Sequence, residues 1–136
     1  MRQTDDVRAF KNELRNYNFY LHRLSSLEDS IDFIYHRLGG VKGIDPSKEP
    51  IHAMPNKELE WKLREDIEIL EAKKSLLETK TNYIDSILAE IEIPLREAIM
   101  AVYCEGKTME RVGRKYHLSS SGLNKRIIIA LKKALN

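Results

Sequence analysis

The stretch KTMERVGRKYHLSSSGLNKRIIIALKKALN, residues 107–136, holds eight Lys+Arg against one acid, Glu110. Inside it Ser119, Ser120, Ser121, Gly122, Asn124 and Lys125 stand close together, ahead of an apolar run. Their chemistry is recognition. Serine hydroxyls donate and accept, so alone they specify weakly. Asparagine suits adenine and lysine suits guanine in a major groove. A helix that opens on these residues also offers N–H donors to phosphate. Lys107, Arg111, Arg114, Lys115, Arg126, Lys132 and Lys133 suit phosphate contacts, which position without specifying.

Other chemistry finds little support. His22, His36, His52 and His117 lack ligand spacing with cysteine or paired carboxylates, so no metal is expected. Glu58, Glu60, Glu65, Asp66, Glu68 and Glu71 suit a solvated helix face, and Cys104 a small core residue. No phosphate loop, nucleophile elbow or triad pattern is present. No catalytic residue, cofactor or enzymatic activity is expected.

Charge divides the chain. Residues 1–93 carry 14 Lys+Arg against 18 Asp+Glu, and residues 94–136 carry 9 against 3. Such asymmetry suggests an anionic partner for the basic part. One cysteine allows no internal disulfide. No apolar run is long enough to span a membrane, and MRQTDDVRAF lacks an apolar signal region. A cytoplasmic protein without membrane contact is expected.

The elements that must carry these residues are helices; no strand alternation occurs. Over 4–38, Val7, Phe10, Leu14, Tyr17, Leu21, Leu24, Glu28, Ile31, Tyr35 and Leu38 keep steps of three and four. Thr4 suits an N-cap and Gly39-Gly40 a stop. Over 57–92, Leu59, Leu63, Ile67, Leu70, Lys74, Leu77, Thr81, Ile84, Leu88 and Ile91 repeat the spacing, with Asn56 as the cap. Two such segments predict a long antiparallel, coiled-coil-like hairpin over 1–93, with a loop at 39–56. Phe19, Tyr20, Leu27, Ile34, Trp61, Ile69, Leu76 and Ile87 lie off the seam. They predict self-association, with Leu21, Leu24, Ile31 and Ile34 near the contact and Glu28 and Lys74 fixing register. The alternative is that a monomer consumes all of them.

Residues 94–136 form the second predicted domain. Pro94 ends the long helix or starts the next, and Gly106 stops PLREAIMAVYCEG. Thr108 caps MERVGRKY, and Ser119 or Ser120 caps the last helix, whose inward residues are Leu123, Ile127, Ala130 and Leu131. Gly113 falls where two helices of a helix-turn-helix cross, Leu118 just after the turn, and His117 where glycine is usual. Histidine is among the residues that visit positive φ. Such corners also occur in helical repeats and enzymes; the charge favours DNA.

LREAIMAVYCEGKTMERVGRKYHLSSSGLNKRIIIALKKAL resembles region four of bacterial sigma factors, which reads the promoter −35 element. The likeness lies in the glycine before Thr108, the Val112-Gly113 step, Tyr116 and the closing Ala130-Leu131-Lys132-Lys133. With its hairpin and GVKGIDPSK loop, the chain resembles the ArpU/RinA-type late transcription activators of phages of low-GC Gram-positive bacteria. The resemblance implies an all-α fold, a hairpin followed by a sigma region four-like helix-turn-helix. It implies a phage or prophage activator of late genes in a bacterial host cell. Ser120, Ser121, Asn124 and Lys125 correspond to the base-reading positions, with double-stranded DNA, host RNA polymerase and a second copy of the chain as partners. Two serines replace larger charged residues there, so the preferred sequence should differ from the −35 element. The chain lacks the polymerase-binding region two of a full sigma factor. The alternative function is a module that engages RNA polymerase through the sigma-like unit without reading DNA.

Overall fold

A computed structural model of the chain describes residues 4–42 and 57–136. All regular structure among them is helical: α1 (Asp5–Arg15), α2 (Tyr17–Lys42), α3 (Lys57–Ala89), α4 (Ile93–Ile99), α5 (Met109–Lys115) and α6 (Ser120–Leu135), with a π-helical turn at Met100–Cys104 after α4. No helix among these residues is long and apolar enough to cross a membrane. Two compact units form, Met1–Leu21 with Lys80–Asn136, and His22–Thr79. The packing units therefore do not follow the charge boundary at 93.

Thr4 caps α1, its hydroxyl accepting from the Val7 N–H at 3.3 Å. The expected unbroken helix over 4–38 is interrupted at Asn16. Its carboxamide donates to the Asn12 carbonyl at 3.0 Å, and its N–H is shared between Asn12 and Glu13. A side chain that bonds the preceding turn competes with the regular ladder. Beyond this break the buried positions shift. Tyr20 and Leu27, off the expected seam, are buried and Leu21 and Tyr35 of that seam are exposed, whereas its Ile31 and Leu38 stay buried. Gly39-Gly40 does not stop the helix, which runs on to Lys42. Asn56 and most of the expected loop lie outside the described residues.

In the His22–Thr79 unit α2 and α3 run antiparallel. Leu38 packs with Leu63 and Ile67, flanked by Ile34 and Leu59. One end further along, Tyr35 Oη donates to Glu71 at 3.3 Å and Lys74 Nζ lies 3.7 Å from Glu28 Oε1. The α3 seam keeps its expected spacing: Leu63, Ile67, Thr81, Ile84, Leu88 and Ile91 are buried, and Lys74 is half-buried.

The other unit has its core around α6. Both α5 and α1 pack on α6, and α1 also packs on the π-helical turn. Buried together in this unit are Val7, Phe10, Leu14, Ile84, Leu88, Ile99, Tyr103, Val112, Leu123, Ile127, Ile128 and Leu131. Phe10 meets the Tyr83 ring edge-on, 6.2 Å between centroids. Polar clamps complete the packing. Arg96 donates to the carbonyls of Leu88, Ala89 and Ile91 at 2.8–3.2 Å, closing the end of α3. A guanidinium is well placed at the negative end of a helix. Asn18 donates to the Cys104 carbonyl at 2.9 Å, and Tyr17 Oη to Asp85 at 2.7 Å. Pro94 lies in the first turn of α4, where its missing N–H costs no hydrogen bond.

Candidate nucleic-acid interface

The corner between α5 and α6 is built from local rules. Thr108 caps α5, its hydroxyl accepting from Arg111 N–H at 3.1 Å. After Tyr116 the chain reverses at His117, whose φ is +58°, the only positive value among the non-glycine residues described. The Leu118 N–H then donates back to Gly113 at 2.8 Å. A Cβ on Gly113 would stand 2.6 Å from the Leu118 carbonyl oxygen, so only glycine lets the turn lie so close. Val112 and Leu123 are buried beside the corner, and Leu118 is half-buried.

Each of the three serines does something different. Ser119 is the cap, accepting from Gly122 N–H at 3.1 Å. A Cβ on Gly122 would lie 3.1 Å from that cap oxygen, which would have to give by a few tenths of an ångström. Ser121 lies with its hydroxyl 3.5 Å from Ser119 Oγ, and Ser120 is exposed. Lys125 is exposed as well, whereas Asn124 is half-buried. The structure thus brings Ser120, Ser121 and Lys125 together on the open end of α6, with Asn124 set back toward the core.

Five cations of the expected phosphate set border three different hollows. Lys107, Arg111 and Lys115 line a groove of about 610 Å³ beside α4 and the π-helical turn, over Met100, Ala101, Val112 and Tyr116. Glu97 and Glu105 line it too, and Lys107 Nζ lies 3.7 Å from Glu105. Arg114 is exposed and pairs with Glu110 at 2.9 Å. Arg126 borders a smaller hollow with Glu92, Leu95 and Tyr116. Lys133 borders another with Glu90 and Glu92. Lys132, half-buried, follows Lys125 by seven residues on α6.

Two features escaped the sequence. One is a second covered side of α6, where Ile128 and Ala134 are buried. The other is Lys11, buried with its ammonium 5.3 Å from the Tyr103 ring centroid and Arg15 at 5.4 Å from the same ring. Burial, reinforced by Arg15, lowers the Lys11 pKa below its ordinary value. Cys104 is half-buried, and burial followed by the Glu105 charge pushes its thiol up to about 11. No cluster of His, Cys, Asp and Glu among the described residues could hold a metal ion.

Compared with protein-family models, curated proteins and solved structures, the chain matches none.

Proposed function

We propose that the chain is a sequence-specific DNA-binding transcription regulator that lays the N-terminal end of α6 in the major groove. The observation that supports this most is the tight α5–α6 corner, with its open end carrying Ser120, Ser121 and Lys125. A helix held rigidly at its start and left uncovered there can approach base edges. The surrounding cations supply the salt-dependent attraction that any DNA ligand needs. The likeness of residues 95–135 to sigma region four extends the proposal to a phage or prophage activator of late genes.

Self-association belongs to the same proposal, because one such unit gains affinity by pairing on two half-sites. The apolar surface for it overlaps the expected one in part, since Leu21 is exposed and Leu24 half-buried. Ile31 is buried and Ile34 packs within the hairpin, whereas Phe33, Trp61, Ile69 and Leu76 are exposed. A second function, engagement of RNA polymerase without base reading, draws support from the groove beside α5, whose apolar floor and charged rim suit a protein segment.

Electrophoretic shift of a random duplex pool at about 50 and 200 mM salt, with and without bacterial RNA polymerase, separates the two. The DNA-reading function requires a shift by the protein alone, weakened at the higher salt and enriching particular sequences. A shift that appears only with polymerase would support the second function instead.

A further inference from the structure

α6 contains three consecutive isoleucines with two different fates. Ile127 and Ile128 are buried, at 0% and 3% exposure, in the unit where α5 and α1 pack on α6. Ile129 is 51% exposed. Its neighbours one turn away in either direction are Lys125, Arg126, Lys132 and Lys133. A single exposed apolar side chain is ordinary by itself. One enclosed by four cations on a proposed DNA-facing helix has a more specific meaning.

Ser121, Lys125 and Ile129 are spaced i, i+4 and i+8, so they form one exposed stripe, about 12 Å long at 1.5 Å per residue. About 12 Å covers three to four base-pair steps at 3.4 Å each. Asn124, half-buried, lies off this stripe. Its three groups differ in kind: a hydroxyl that donates and accepts, an ammonium that only donates, and a branched alkyl group that does neither. Among major-groove edges, only thymine presents a methyl group for apolar contact. We propose that Ile129 is a specificity-determining residue that packs on a thymine C5-methyl, within about three base pairs of the guanine read by Lys125. The inference rests on the DNA-reading function proposed above and adds a third chemical letter to it.

The test uses the full chain and duplexes selected from a random pool. Each thymine of the selected site is replaced in turn by deoxyuridine, which removes the methyl and nothing else. Wild-type protein loses about fourfold in affinity at one position, the value of one buried methyl. Ile129→Ala loses affinity for the thymine duplex and is indifferent to uridine at that position. Ile129→Val, which keeps methyl groups on the same side, retains the discrimination. Since Ile129 is outside the core, both variants keep the wild-type circular dichroism and melting temperature. Unchanged affinity in Ile129→Ala, or uridine sensitivity equal to wild type, overturns the contact while leaving DNA reading intact. A wild-type protein that selects no sequence overturns both.

Discussion

Gly113 and His117 set the geometry of the corner, and each is open to a single substitution. Gly113→Ala places a Cβ 2.6 Å from a backbone carbonyl, which has no rotamer to change. Overpacking of this kind costs about 1–3 kcal/mol, and urea denaturation should register it. His117→Gly should go the other way by about 1 kcal/mol, since φ of +58° is strained for a side chain and free for glycine. A destabilised His117→Gly would mean that the imidazole makes a contact that matters more than the strain. Cys104 offers a different check. With its thiol pushed up to about 11, it should be almost wholly protonated at pH 8. Alkylation by iodoacetamide at that pH should run on the order of 100-fold slower than for free cysteine, since only the thiolate reacts. A rate near that of the free amino acid would place Cys104 in a more open setting. These residues were legible beforehand because their rules are local: a cap hydroxyl, a crossing glycine, a residue tolerant of positive φ. Asn124 was not, because half-burial depends on what covers α6 rather than on Asn124 itself.

At the scale of elements, the Thr4 and Thr108 caps and the α3 seam follow from residue type and spacing, whereas the sequence leaves Pro94 between ending one helix and starting the next and leaves Ser119 and Ser120 as alternative caps. The α2 seam does not follow from spacing. Asn16 is an acceptable helix residue, and nothing in its type announces that its side chain will bond Asn12 and move the buried face from Leu21 to Tyr20. The run through Gly39-Gly40 is a second case, where α2 continues past residues that favour a stop. The role of α1 was the least legible, because it packs on α6 across more than a hundred residues of sequence, a distance over which periodicity carries no information. That packing has a consequence. Leu14 is fully buried in the unit that holds the candidate interface, so Leu14→Ala should destabilise that unit by about 2–5 kcal/mol. Residues 94–136 on their own should have low helical content, since they lack α1, which packs on α6 and on the π-helical turn. A peptide of 94–136 that melts cooperatively with native-like helicity would show α1 to be dispensable.

For the whole molecule, the proposed function calls for two kinds of partner, DNA and a second copy of the chain. Phe33, Trp61, Ile69 and Leu76 on the His22–Thr79 unit are exposed side chains that self-association would cover. Sedimentation equilibrium should give a dimer or larger species at micromolar protein, and Trp61→Glu with Leu76→Glu should return it to monomer. Wild type that stays monomeric with and without DNA would end that part of the proposal. Base reading by α6 is the central claim, and one competition assay tests it most directly. The full chain is titrated with a duplex selected from a random pool and with a scrambled duplex of equal composition, in about 150 mM salt. Specific DNA binding separates the two by a factor of about 10³ or more, and Lys125→Ala should narrow the gap by about 1–3 kcal/mol with a smaller effect on the scrambled duplex. Equal affinity for both duplexes, or equal losses on both in Lys125→Ala, would contradict it.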